Sequence, residues 1–511
     1  MPMRALATAG KLLGRLRRSK QMRPKPANHP LRSLARGLET LENRDMNSVA
    51  SIWLQGSTLV VQSDASASLV EVSSSGSNLS VFDRTRNASW NFAAAGVATV
   101  EFHGGAGNDR FLGMAGNVQF RCFGNGGNDY LEGGNLNDLL DGGAGDDRLV
   151  GNAGNDQLIG ASGANLLLGG AGNDDLQGGA GDDRINGGLG NDRLFGGDGN
   201  DLLIAIDGAN SDYLQGDAGS DTLWIDLTLV GDVVSGTTAS DKVQLVRGFA
   251  NGADRTLDGD RIVDPAVRSN QTYKTFANRP LFAAKGPAAD DIRQGALGDC
   301  YLLAGLSAIA QDSPTVLRQN VVDFDDGTYG VRLGNSFYRV DNDLPVFSPS
   351  SPIPAFAQFG AEGSVWVAVV EKAFAHYRAG LNSYASIEGG WGVEANRAFG
   401  ATALGNRDMQ SYGNATALAN EILARWAARQ AVTIGFLGPK QYTVNTAPLV
   451  MGHMYSVSSV NVVKGQVTSI VLRNPWGIDG AGKDANIYDG LVTVTPVQLM
   501  QYYGRLNWGQ V

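Results

Sequence analysis

Cysteine is nearly absent from this sequence. Among 511 residues only Cys122 and Cys300 occur, which excludes a disulfide scaffold. Histidine is almost as scarce, and His29, His103, His376 and His453 leave no room for a histidine-rich metal site. Charged residues make up 18% of the chain, below the globular norm of about a quarter. No uninterrupted apolar run approaches the roughly 18 residues that mark a membrane-spanning helix. Positive charge is in deficit, with 41 Lys and Arg against 51 Asp and Glu, and the net charge of -10 argues against a nucleic-acid partner. Only 16 prolines accompany 69 glycines, and the glycines do not recur at every third position, which excludes collagen. What remains in excess is glycine, at about twice ordinary usage.

The excess is local, and so is the charge. Residues 1–45 carry eleven Lys and Arg against three Asp and Glu. Residues 104–224 reverse this, with nineteen acidic residues, five arginines and no lysine. Together with a length too great for one ordinary domain, this marks at least three regions. The basic start (1–50) reads either as a disordered tail or as a leader. The stretch Leu38-Glu39-Thr40-Leu41-Glu42-Asn43-Arg44 resembles one near the start of exported bacterial surface proteins, which favours a leader. Residues 51–103 hold short alternating runs such as Leu59-Val60-Val61 and Leu79-Ser80-Val81-Phe82, and these read as strands.

From Gly124 to Ile204 the chain repeats every nine residues without insertion, nine copies in all, as in Gly142-Gly143-Ala144-Gly145-Asp146-Asp147-Arg148-Leu149-Val150. One good copy precedes the run at Gly104–Leu112, and another follows at Gly216–Trp224. Six residues of each copy read as a tight turn, for which glycine supplies positive φ, and three read as a short strand with one inward apolar residue. Copies n and n+2 then stack. Stacked turns bring aspartate carboxylates and backbone carbonyls together as an all-oxygen set, the kind of site calcium favours. The candidate ligands are Asp109, Asp129, Asp138, Asp147, Asp156, Asp174, Asp183, Asp192 and Asp201. Asn165 breaks the pattern, with Ala161 in place of a glycine and Ser162 beside it, and predicts a weakened site. Val118 predicts none. The repeat resembles the Gly-Gly-x-Gly-x-Asp-x-apolar-x unit of the RTX family, which implies a calcium-binding parallel β-roll.

Residues 226–275 read as a connector. Beyond them the composition becomes ordinary, and Gln294-Gly295-Ala296-Leu297-Gly298-Asp299-Cys300 opens a Leu/Ala-rich helix. A thiol at a helix N-terminus has its pKa lowered by the partial positive charge there. A nucleophilic cysteine also needs a base, a group that orients the base, and oxyanion donors. His453 heads a strand-like run and Asn474 follows a second one, Ile470-Val471-Leu472. As hairpin neighbours they would bring Asn474 against His453, with Trp476 covering the pair. Gln294 lies six residues before Cys300, in reach of a developing oxyanion.

Gln294–Cys300, Gly452-His453-Met454-Tyr455-Ser456-Val457 and Asn474-Pro475-Trp476-Gly477 together resemble the catalytic blocks of the calpain family of cysteine proteases. Val340–Pro345, Glu371-Lys372-Ala373 and Ser383–Gly390 resemble its secondary landmarks, and Tyr301 stands where the family usually has tryptophan. The resemblance covers residues from about 275 to 511. It implies a Cys300–His453–Asn474 triad with Gln294 at the oxyanion, a papain-like core of two subdomains, and protein or peptide substrates. His376 reads as a surface histidine and Cys122 as a small packed side chain.

The expected fold is multidomain: a parallel β-roll (104–225, with a β-rich start at 51–103), then an α+β papain-like, calpain-type cysteine protease core (276–511). The expected function is a calcium-dependent cysteine endopeptidase, bacterial and exported, with no transmembrane segment and with association to a cell surface or matrix as an open option. The rival is an exported calcium-binding surface protein with an inactive core. Cleavage of the chain's own leader or connector is a third reading.

Overall fold

A computed structural model of the chain describes residues 49–511, apart from 65, 209, 228–230, 254–261, 278, 440–448 and 478–489. The basic leader segment lies outside the described residues as far as residue 48.

The repeats wind into a parallel β-solenoid with a sheet of ten strands on one side and a sheet of eleven on the other. Each strand pairs with the strand two copies on. Leu140 faces Leu158 and Leu158 faces Leu176 in one sheet, while Leu149 faces Leu167 and Leu167 faces Ile185 in the other. These residues all occupy the single apolar position of the nonapeptide, and they fill the space between the sheets with no exposed surface. The period therefore fixes the packing: one inward side chain per copy, stacked at a spacing of two copies. The strands are longer than the three residues expected. Arg148–Ala153, for example, runs on through the first three residues of the next copy.

The roll also extends beyond the repeat at both ends. Val49–Ser63 and Leu69–Ala93 form antiparallel hairpin strands that join the two sheets and close the solenoid's first end. At the other end, Val233–Ser235 and Lys242–Val246 add one more parallel strand to each sheet. The 226–275 segment is thus not a plain connector: its first part continues the roll to Val246, and Thr272–Thr275 pairs with Asp343–Val346 of the region that follows.

That region is α+β and is built around two apolar cores. The first holds the helices Cys300–Asp312 and Trp366–Tyr377 and the three-stranded sheet of Val321–Asp323, Thr328–Leu333 and Ser336–Asp341. The second is a six-stranded antiparallel sheet carrying His453–Val463 beside Gln466–Arg473, backed by the helix Ala415–Ala427. The cysteine helix joins the two. Its Ser307 Oγ accepts a hydrogen bond from Ser456 at 3.1 Å, and Gln311 Nε2 donates to the Val457 and Ser458 carbonyls at 3.3 and 3.1 Å.

Candidate active site and calcium ladder

Cys300 is the first residue of its helix, directly after the fully buried Asp299. His453 opens its strand after Gly452, whose φ of +66° gives the chain a sharp entry to that strand. The antiparallel pairing of His453–Val463 with Gln466–Arg473 returns the chain to Asn474. His453 Nε2 then lies 2.8 Å from Asn474 Oδ1, and the Trp476 ring centroid lies 4.6 Å from that of the imidazole. Asn474 Oδ1 also accepts the Trp476 N–H at 3.0 Å, which identifies it as oxygen and makes His453 Nε2 the donor. The proton therefore resides on Nε2, and Nδ1 keeps the lone pair a base needs.

The electrostatics of Cys300 differ from those expected of a helix terminus. Burial pushes its thiol up to about 11, and the adjacent Asp299 adds to this. The N–H groups of Met454, Tyr301 and Cys300 oppose the shift without cancelling it. Burial likewise holds His453 below its ordinary value, against the hydrogen bond it donates to Asn474. In this arrangement the two groups rest as a neutral thiol and a neutral imidazole. Gln294 is held from both ends: its N–H donates to Pro475 O at 2.8 Å, while Nε2 donates to Leu297 O at 2.6 Å and to Asp299 Oδ1 at 3.2 Å.

One partner was not foreseen. Glu371, fully buried on the helix Trp366–Tyr377, accepts the Ala357 N–H at 3.0 Å and neighbours Asp299, and burial with that neighbouring charge raises it well above the carboxylate range. Asp299 itself is pushed up to about 6, chiefly by burial. Two buried carboxyls in contact keep at least one proton between them. His376 is also not at the surface: it is buried, its ring 6.4 Å from that of Tyr338, and burial lowers it to about 4. Cys122 is a packed core side chain, as expected.

In the roll, the repeat aspartates form two ladders. The N–H of Asp129 donates to Asp147 Oδ1, that of Asp156 to Asp174 Oδ1 and that of Asp183 to Asp201 Oδ1, each at 2.8 Å. This uses Oδ1 and leaves Oδ2 buried without a partner at Asp129, Asp147, Asp156, Asp174, Asp183, Asp192 and Asp201. A methyl group on Gly124 would collide with both Asp129 Oδ2 and Gly142 O, so carboxylate and carbonyl oxygens converge above that glycine. Burial pushes Asp129 and Asp201 to about 7 and Asp156 to about 8. Buried, unpartnered, converging oxygens are what a calcium site requires. Among the described residues no three acidic, histidine or cysteine side chains gather at one point, so an ion held there would draw further oxygens from backbone carbonyls.

The exceptions are informative. Asp109 Oδ2 and Asp138 Oδ2 accept the N–H groups of Gly105 and Gly134 at 2.7 and 2.6 Å, and so are not left over. Asn165 keeps the ladder but turns its Nδ2 to Gly163 O at 3.2 Å and Gly178 O at 3.5 Å, putting a donor where other copies present a bare oxygen. Asp212 and Asp221 carry the same orphaned Oδ2 and were missed. Asp221 fills the sixth place of the late copy, while a two-residue insertion hid Asp212 by widening the spacing to 20. A further kind of ladder, also missed, joins fifth-position side chains: Asn155 Oδ1 accepts from the Asn173 N–H, and Asn173 Oδ1 from the Asn191 N–H.

Comparison with known proteins agrees with this division. Residues 267–483 match the calpain family of cysteine proteases, and segments between 101 and 224 match the RTX calcium-binding nonapeptide repeat. The molecule is thus a parallel β-solenoid, over residues that match a calcium-binding repeat, followed by a calpain-type protease region. Among relatives, Calpain-B of Drosophila melanogaster is 27% identical over 223 residues, 40% of this chain and 23% of that protein. Human Calpain-9 is 28% identical over 220 residues, 40% of this chain and 30% of its own length. The chicken Calpain-2 catalytic subunit is 28% identical over 215 residues, again 40% and 30%. The match therefore spans less than a third of these relatives. Among the described residues no helix is long and apolar enough to cross a membrane.

Proposed function

We propose that the chain is a calcium-dependent cysteine endopeptidase that works outside a bacterial cell. The observation that carries this reading is the His453 Nε2–Asn474 Oδ1 bond of 2.8 Å, which leaves Nδ1 as the basic atom in the region that bears Cys300. Cys300 loses its proton to His453 Nδ1 and attacks a peptide carbonyl carbon. The C–N bond then breaks as His453 returns the proton to the leaving amine. Water, deprotonated by His453, releases the acyl group as a carboxylic acid and restores the thiol. The Cys300 N–H and the Gln294 amide stabilise the oxyanion once Gln294 Nε2 turns from Leu297 O and Asp299 toward it. Asn474 holds the imidazole in its tautomer, and Trp476 shields that bond from water.

Calcium would be held by Asp129, Asp147, Asp156, Asp174, Asp183, Asp192 and Asp201, with carbonyl oxygens of the stacked turns. Asp109 and Asp138 complete the series nominated from the repeat, though their carboxylates are already satisfied by backbone N–H groups. The ion supplies charge neutralisation, without which buried carboxylates oppose folding of the roll. Millimolar extracellular calcium suits such sites.

The test is cleavage of an unfolded protein such as casein by the purified chain. Hydrolysis lost in Cys300→Ala and lowered roughly 10²- to 10⁴-fold in Asn474→Ala is the expected result. Equal hydrolysis by Cys300→Ala and the unaltered chain would remove the proposed nucleophile. No hydrolysis by a folded, calcium-loaded chain would favour a surface protein with an inactive core.

A further inference from the structure

The roll does not merely precede the protease region; it seats it. Asn186, Ile204, Trp224 and Gln244 lie in register on four successive strands of one sheet, forming a single row across its outer face. All four meet the protease region. Asn186 Nδ2 donates to Phe324 O at 2.9 Å. Trp224 Nε1 and Gln244 Nε2 both donate to Gln319 O, at 3.3 and 3.2 Å. Ile204 and Trp224, with Val246, form one buried cluster with Val322, Phe324 and Phe337, in which the Trp224 ring packs edge-on against both phenylalanines. At the margin, Arg184 pairs with Asp325 at 2.5 Å.

Each member of the row stands three residues after an aspartate of one ladder: Asp183, Asp201, Asp221 and Asp241. The N–H of each of the first three donates to Oδ1 of the next, at 2.8, 2.9 and 3.1 Å. The turns that present unpartnered carboxylate oxygens therefore hold the strands that carry the seat. On the far side, Ser336–Asp341 ends at Asp341, which pairs with the buried Lys372 at 2.5 Å. Lys372 adjoins Glu371, the partner of Asp299 beside Cys300.

We propose that this row couples the calcium-dependent fold of the roll to the protease region, so that ion binding in the roll orders the strands 321–341 and, through them, the helix that bears Cys300. The inference rests on the calcium-dependent reading of the roll proposed above. It differs from calcium acting within the protease region, because here the signal passes through a defined interface. A chain of packed contacts is only a route, and coupling along it must be measured.

The measurement is hydrogen exchange on the full-length Cys300→Ala chain across a calcium titration, so hydrolysis plays no part in the result. The expected result is that peptides from the roll, from 321–341 and from 300–312 gain protection with a shared midpoint. In the Trp224→Ala background the roll still responds, while the calcium-induced slowing in 321–341 falls by roughly 2- to 30-fold, the range usual for packed networks. The pair Asn186→Ala and Gln244→Ala keeps the Trp224 ring and shows a smaller loss of the same sign, which guards against misfolding of the tryptophan variant. Calcium-independent protection of 321–341 in the parent would overturn the proposal. So would an undiminished response in Trp224→Ala, which would place the ion's action inside the protease region.

Discussion

At Cys300 two opposing effects meet, and burial prevails over the helix terminus. Burial pushes the thiol up to about 11 with Asp299 beside it, and holds His453 below its ordinary value, so under the proposed mechanism the nucleophile would form by proton transfer to His453. The carboxyl pair Asp299–Glu371 controls part of this balance. In Glu371→Gln the amide donates to Asp299, which then stands fully ionised beside the sulfur and disfavours the thiolate. Alkylation of Cys300 by iodoacetamide at neutral pH should slow several-fold, with the thermal unfolding of the chain little changed; unchanged alkylation would show that the pair is only structural. His376 gives a separate pH signal. Its folded value is depressed from 6.5 to about 4, so the neutral form favours the fold above 6.5 and that contribution is lost as pH falls toward 4. The loss approaches roughly 3 kcal/mol at full protonation. His376→Phe should flatten the decline in stability over that interval, as read by denaturant unfolding at several pH values.

Among elements, the roll is where sequence and structure correspond most closely. The nine-residue period alone implied which apolar residues point inward, and Leu131, Leu140, Leu149, Leu158, Leu167, Leu176, Ile185, Leu194, Leu203 and Leu223 all do so. Leu167→Ala should therefore cost about 2–5 kcal/mol in the calcium-loaded roll, since the stacked residues leave little room to collapse. Asn165 offers a finer test. Its Nδ2 donates to Gly163 O and Gly178 O, so Asn165→Asp replaces a donor with a bare oxygen. Calorimetry should then find more calcium bound per chain, together with a less stable ion-free roll; an unchanged stoichiometry would refute the assignment of these carbonyls. Several features were not legible in the sequence. The two-residue insertion broke the count at Asp212, and position alone did not reveal that Asp109 and Asp138 are satisfied by backbone N–H groups. The buried neighbours Asp299 and Glu371 lie 72 positions apart in sequence, which no local pattern reveals. His376 looked solvent-facing beside Glu371 and Lys372, yet that whole face of the helix is buried.

For the whole molecule, the central claim is that one chain joins a calcium-ordered solenoid to a cysteine peptidase. The resemblance of residues 267–483 to the calpain family was legible because each block that carries it is a short, contiguous motif. The interface was not, because its residues look like ordinary repeat positions until strands two copies apart are placed in register. Ile204 and Trp224 sit where other copies carry Asn186 or Gln177, and only the register shows them as one row. The most direct measurement is casein hydrolysis by the purified full-length chain in millimolar calcium and again in excess chelator, with Cys300→Ala alongside. Cleavage that requires calcium and disappears in Cys300→Ala is the predicted result. Cleavage at the same rate in chelator would contradict the account, leaving the roll without a part in the activity.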